Sequence, residues 1–330
     1  MTERPSPSAD VPAVGARAPD FFIVGHPKSG TTALYRMLRS HPQIYMPALK
    51  EPLFFASDMR PSLQRGAKPR FPATYEEYLT LFAAAAPDQR AGEATPSYLR
   101  SHVAAEAIAQ AQPAARIIAI FREPASFVRS LHLQRRQEHV ESEPELARAL
   151  ALEERRRQER LKVDPRDRPL MLLYSEFVRY VEQLRRYHAV FPREQVMALI
   201  YDDFRRDNDA TVRSVLRFLD VDDTVPIHTT EANPTVAVRS HRLERLIRGA
   251  QSGRGPLSRP AHALLTTLTP QDLRRKLFYP LRKRIIYRNP QPTDEHVMND
   301  VRRRFKGEVE ALSQYLDRDL ITLWGYDSLD

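Results

Sequence analysis

The stretch best suited to chemistry is Gly25-His26-Pro27-Lys28-Ser29-Gly30-Thr31-Thr32, a lysine and paired threonines set among small residues. It follows the apolar run Phe21-Phe22-Ile23-Val24 and precedes a segment whose apolar residues Leu34, Met37 and Leu38 recur at helical spacing, so it reads as strand, loop, helix. At such a helix start the first backbone N–H groups lack intrahelical partners, the helix dipole is positive, and Gly30 permits close approach of an anion. Phosphate is the natural guest. The spacing from Gly25 to Gly30 equals that of the nucleotide-triphosphate loop GxxxxGK[ST], but Thr31 stands where that motif needs lysine, and the lysine is at position 28. Such a loop suits a donor less charged than a triphosphate, with Lys28 neutralising a leaving oxygen and no metal required.

The elements that position this loop are short. A second buried strand is expected at Ile117–Phe121, followed by a turn, Arg122-Glu123-Pro124, and a helix through Phe127, Val128 and Leu131. Further strands are expected at Leu170–Tyr174 and Val196–Tyr201, separated by a helix around Phe177, Tyr180, Val181, Leu184 and Tyr187. Alternation of this kind predicts an α/β fold, a P-loop-type, mostly parallel sheet flanked by helices. Two stretches read as purely helical, Pro144–Lys162 and Glu295–Leu316, the latter forming an appended C-terminal helical subregion. Residues 1–19, rich in Pro, Ser and Ala, read as a mobile tail; residues 20–325 read as one enlarged domain; Gly249–Pro260 reads as a loop.

Composition narrows the chemistry. The chain has 330 residues and no cysteine, so thiolate nucleophiles, disulfides and Cys-ligated metals are excluded. No apolar run approaches the roughly 20 residues that cross a bilayer, and Met1–Asp10 lacks an apolar signal core, so a cytoplasmic location is expected. Between Arg239 and Pro290 there are thirteen Lys/Arg and two acids, an excess of eleven against +9 for the whole chain. The basic character is regional. It suits an anionic ligand, nucleic acid or a lipid surface.

Pro27–Thr32 resembles the 5′-phosphosulfate loop, PKSGTT or PKAGTT, of sulfotransferases that use 3′-phosphoadenosine 5′-phosphosulfate (PAPS). Arg122, Pro124 and Ser130 resemble that family's 3′-phosphate pattern, in which an arginine at a strand end and a serine on the next helix converge on one phosphate. A further family arginine is replaced by Phe127, with Arg129 nearby. Lys50-Glu51-Pro52-Leu53-Phe54-Phe55 is similar to the KEPxFF segment of bacterial and carbohydrate-acting members, and Gly92-Glu93-Ala94-Thr95-Pro96-Ser97-Tyr98 to GE[KA][ST]PxYL, with Ala94 where many members carry lysine. Weaker likeness continues through Phe191–Gln195, Tyr201–Phe204 and Asp317–Leu320, so that it spans most of residues 20–325.

The resemblance implies transfer of a sulfuryl group from PAPS to a hydroxyl of a sugar, glycolipid or glycosylated natural product. It makes Glu51 the general base, acting as a partly buried carboxylate over a floor of Phe54 and Phe55. Lys28, Ser29, Gly30, Thr31 and Thr32 would hold the 5′ end of the cofactor, and Arg122 and Ser130 the 3′ end. Arg239 would stand in for a late cofactor loop that the sequence lacks, and Phe54, Phe55, Glu93 and Tyr98 would face the acceptor. His132, close to Ser130, is an alternative base. No metal and no nucleic acid is expected, whereas residues 239–290 suit peripheral contact with an anionic membrane or a lipid-linked acceptor. The oligomeric state is left open. Two other readings stand beside this one: a P-loop nucleotide kinase or NTPase, and a non-enzymatic protein binding anions, nucleic acid or membrane through its basic region.

Overall fold

The computed structural model describes residues 17–59, 71–160, 171–227, 237–238, 287–288 and 294–329. The elements in chain order are β1 (Phe21–Gly25), α1 (Thr31–Arg39), β2 (Ile44–Tyr45), α2 (Tyr75–Thr80), β3 (Arg90–Ala94), α3 (Ala104–Ala111), β4 (Arg116–Phe121) and α4 (Pro124–Gln137). They continue through α5 (Leu146–Ala151), α6 (Glu153–Arg160), α7 (Tyr174–Phe177), α8 (Tyr180–His188), β5 (Val196–Ile200), α9 (Tyr201–Arg206) and α10 (Asn208–Phe218). A two-residue antiparallel pair, β6 (Ala237–Val238) with β7 (Tyr287–Arg288), precedes α11 (Glu295–Leu316) and α12 (Leu320–Leu323). The chain divides into two compact units, Met1–Phe127 with Ser175–Asn233 and Arg302–Asp330, and Val128–Tyr174 with Pro234–Val301. Among the described residues no helix is long and apolar enough to cross a membrane.

The first unit holds a five-stranded sheet in the order β2-β3-β1-β4-β5, parallel throughout. β1 and β4 are near-continuous apolar runs, as central strands covered on both faces must be. Their alternate residues part cleanly. Phe21, Ile23, Ile118 and Ile120 join Leu199 and the apolar faces of α1 and α10 in one core, with Leu34, Leu38, Val212 and Leu216 buried there. On the other face Phe22 meets Phe55 and Tyr98, and Phe121 meets Tyr180. Phe21 lies in register with Gly92, where a Cβ would come within 2.1 Å of the Phe21 ring, so only glycine fits beneath it.

Two expectations differ from what is found, and two strands were not anticipated. Met171 and Leu172 form a 3-10 turn and Tyr174 opens α7, so the apolar run at Leu170–Tyr174 is no strand over its described part; short apolar runs suit either state, and packing decides. Over its described part the Pro144–Lys162 stretch holds two helices, α5 from Leu146 and α6 to Arg160, interrupted at Leu152. Strands β2 and β3 were not foreseen, because β3 reads Arg-Ala-Gly-Glu-Ala and carries no large apolar residue. The Gly249–Pro260 loop and most of the basic region lie outside the described residues. Arg17, counted with the tail, donates to the Gln89 carbonyl at 2.7 Å and pairs with Asp20.

Candidate active site

The sheet order fixes where a ligand can enter. The chain leaves β1 toward β2 and β3 on one side and leaves β4 toward β5 on the other. The ends of two adjacent parallel strands therefore open into a crevice, the usual ligand position in open α/β sheets. Lys28 follows one of these strands and Arg122 the other.

The loop after β1 is built by its main chain. Gly30, at the N-cap of α1, has φ 86°, and a Cβ there would lie 2.9 Å from the Phe204 ring. Its carbonyl accepts from Ala33 and Leu34 N–H, while α1 has no acidic residue in its first turn and no side-chain cap. The helix start is thus left open to an anion. Lys28 also has a positive φ of 62° and is half-buried, as is Thr32. Ser29 and Thr31 are buried, and Ser29 is turned inward: its hydroxyl donates to the Pro27 carbonyl at 3.4 Å and its backbone N–H to the His26 carbonyl at 3.3 Å, bonds that shape the loop. His26 donates its backbone N–H to the Ile120 carbonyl, tying the loop to β4. Burial among Phe121, Phe127 and Tyr180 pushes the His26 imidazole down to about 3, assisted by the Arg100 charge, so it is a neutral packing group.

The turn after β4 is built differently. Glu123 caps α4 with its own carboxylate, accepting from Ala125 N–H at 2.9 Å and Ser126 N–H at 2.6 Å, and Tyr326 donates to the same group. The amides of that helix are therefore occupied, and the turn's anion-binding capacity rests on a side chain. The Arg122 guanidinium donates to the Lys28 carbonyl at 2.8 Å and lies over the Tyr201 ring at 4.8 Å, while Tyr180 donates to the Arg122 carbonyl. Burial lowers the Arg122 pKa, yet a guanidinium stays protonated in a protein. The two turns expected to grip opposite ends of one ligand are thus in direct contact. Ser130 is buried on α4 and belongs to the second unit, as does His132, whose Nε2 meets the Glu143 carbonyl. Arg239 lies outside the described residues.

Residues 50–55 lie against the end of β3. Glu51 N–H donates to the Ala94 carbonyl at 3.1 Å, and both Glu51 (φ 61°) and Leu53 (φ 56°) have left-handed backbone. The partial burial expected of Glu51 is not found. Its side chain is 49% exposed and paired with the Lys50 ammonium. The buried carboxylate is Glu93, 0% exposed, which accepts from Tyr78 Oη at 2.5 Å, Thr95 Oγ1 at 2.5 Å and Tyr98 Oη at 3.2 Å. Burial pushes its pKa up to about 7 against the opposing pull of these hydrogen bonds and of Lys50. Glu93 and Tyr98 were expected to face an acceptor; both are fully buried and bonded to each other, and Phe55 is buried with them. They support the 50–55 segment from beneath. Phe54 is half-buried and stacks on Tyr78 with centroids 4.6 Å apart.

Sequence reading missed Tyr201 and Tyr78 as parts of the site. Tyr201 follows β5 as Arg122 follows β4, so strand-end position is a usable signal. Tyr78 lies on α2, fifteen residues before Glu93, and nothing local marks it. A separate cavity of about 320 Å³, lined by Ile200, Asp203, Arg206, Thr211, Ser214 and Arg318, contains none of the expected site residues.

Comparison with known proteins gives concordant results. A family model described as "Sulfotransferase family" matches residues 19–225. Mouse carbohydrate sulfotransferase 15 is 38% identical over 98 residues, which is 28% of this chain and 17% of that protein. The human protein of that name is 43% identical over 70 residues, covering 21% of this chain and 12% of its own length. The chain thus spans less than a fifth of the curated relatives it matches. The crystal structure of a sulfotransferase from Alicyclobacillus acidocaldarius superposes with TM-score 0.56 and 27% identity, covering 78% of this chain and all of that one.

Proposed function

The chain belongs to the sulfotransferase family, and from that premise we propose that it transfers the sulfuryl group of PAPS to a hydroxyl of a sugar, glycolipid or glycosylated natural product. The acceptor oxygen attacks sulfur in line, forming the new O–S bond as the bond from sulfur to the bridging phosphate oxygen breaks. Adenosine 3′,5′-bisphosphate leaves, and the acceptor proton passes to Glu51. Lys28 and the main-chain amides at residues 28–32 hold the 5′-phosphate and stabilise charge developing on the bridging oxygen. Arg122 holds the 3′-phosphate, and Ser130 and Arg239 are assigned to the cofactor by the family resemblance alone. Alignment and fixed charge supply the acceleration, without a covalent enzyme intermediate.

The observation that carries this reading is the contact of the Arg122 guanidinium with the Lys28 carbonyl, which sets a side-chain cation beside an amide-built anion loop at one crevice. A nucleoside with phosphates at both ends suits that pairing better than a triphosphate with magnesium, since the loop lacks the lysine that precedes Ser/Thr in triphosphate sites. The carbohydrate tilt rests on the 50–55 segment and on what the curated relatives are called. Glu51 is exposed to an arriving acceptor, which must loosen the Lys50 ion pair for the carboxylate to take a proton. Incubation with labelled PAPS and a panel of hydroxylated acceptors tests the reading. Label should move to sugar-type hydroxyls, and adenosine 3′,5′-bisphosphate should appear in equal amount. Hydrolysis of ATP in its place, dependent on magnesium, would overturn it.

A further inference from the structure

The 50–55 segment is strained and yet well held. Non-glycine residues with left-handed backbone cost about 1 kcal/mol or more each and persist where surrounding contacts over-determine them. Glu51 and Leu53 are two such residues within three positions. The ties that hold them lead to one group. Phe55 N–H donates to Tyr98 Oη at 3.2 Å, and that hydroxyl donates onward to Glu93 at 3.2 Å. Phe54 stacks on Tyr78, whose hydroxyl donates to the same carboxylate oxygen of Glu93. Thr95 occupies the other oxygen, and Thr95 N–H reaches the Ile23 carbonyl of β1. Glu51 itself is bonded to Ala94, the residue after Glu93.

We propose that Glu93 is a positioning residue for the reaction: its buried carboxylate gathers Tyr78, Tyr98 and Thr95 so that the 50–55 segment presents Glu51 to the acceptor in one fixed geometry. This assigns Glu93 no contact with donor or acceptor, and it rests on the reading of Glu51 as the base. A buried carboxylate with its three hydroxyl donors in place is a rigid hub, whereas removing one partner leaves polar groups unsatisfied in a dry interior. The other titratable groups that act on it or feel its charge are Lys50 and Tyr187. The hub's side-chain bonds run to Tyr78, Tyr98 and Thr95, and from Tyr98 to the 50–55 segment, so its loss should be felt first at 51–55.

Two variants test the proposal, Glu93→Gln and the gentler Tyr98→Phe, which removes only the hydroxyl link to Phe55. Hydrogen exchange is followed at residues 51–55 and at 117–121 of β4, with turnover and calorimetric affinity for adenosine 3′,5′-bisphosphate measured alongside. Exchange should quicken by about tenfold or more at 51–55 and stay unchanged at 117–121. Turnover should fall by at least roughly tenfold, with the donor-product affinity kept. If Glu93→Gln also loses protection at 117–121, Tyr98→Phe decides alone. Unchanged exchange at 51–55, or quickened exchange with wild-type turnover, would overturn the proposal. Should the wild-type chain transfer no sulfate, the function reading fails, while the exchange result still decides whether Glu93 holds the segment.

Discussion

The two sides of the proposed site, donor and acceptor by the proposed function, are built on opposite plans. At the ends of β1 and β4 the donor side uses backbone amides, a half-buried lysine and a guanidinium that meets the loop directly. At the end of β3 the acceptor side uses an exposed carboxylate, Glu51, on a strained segment that is held from below by a buried carboxylate, Glu93, and stacked aromatic rings. An anion site made of main chain depends on a few contiguous residues and on the helix that follows them. A site made of one side chain on a bent segment depends on a remote support. Substitutions on the two sides should accordingly separate affinity from turnover.

The sharpest separation is expected of Glu51→Gln. Turnover should fall by about 10²–10⁴-fold, while calorimetric affinity for adenosine 3′,5′-bisphosphate stays at the wild-type value; near-wild-type turnover would remove Glu51 from the base role. Lys28→Ala should reduce turnover by roughly 10²–10³-fold and also weaken that affinity, since one side chain serves ground state and transition state. Steady-state assays at saturating donor tell the two effects apart. Arg122→Ala should act chiefly on binding, raising the dissociation constant by about ten- to a hundredfold; a variant with unaltered affinity would break the comparison on the donor side.

Two smaller effects concern stability. Gly30→Ala forces a Cβ into a left-handed position 2.9 Å from the Phe204 ring and should cost about 1–2 kcal/mol, measured by denaturant unfolding. Glu93 has a folded pKa of about 7, above its usual 4.5. The folded chain keeps that proton where the unfolded chain has released it. The stability this group contributes is therefore full below its unfolded pKa, declines above it, and is lost as pH rises through about 7. Thermal melts at pH 5.5 and pH 8 should differ by a few degrees more in wild type than in Glu93→Gln (order of magnitude). An equal difference in both proteins would refute the buried-carboxylate account.

The strand, loop and helix that carry Lys28 were legible in the sequence because their signals are local. Eight contiguous residues carry the lysine and the glycine, an apolar run fixes the strand before them, and helical periodicity fixes the helix after them. The parallel sheet and the C-terminal helices followed from the same periodicities. The acceptor side was legible only as lettering. Which of Glu51 and Glu93 is buried depends on Tyr78, brought to Glu93 by the tertiary fold, so the reading put burial on the wrong carboxylate. Strand β3 escaped notice because its central residues are small or charged, and the run ending at Tyr174 misled because five apolar residues suit either a strand or a helix.

The central claim is that one nucleoside bisphosphate is held jointly by the loop after β1 and the turn after β4. Isothermal titration of adenosine 3′,5′-bisphosphate into the wild-type chain and into Lys28→Ala and Arg122→Ala tests it most directly. The account predicts one-to-one binding to the wild type and a marked loss in each variant. Absence of binding by the wild-type chain, or undiminished affinity in both variants, would contradict it.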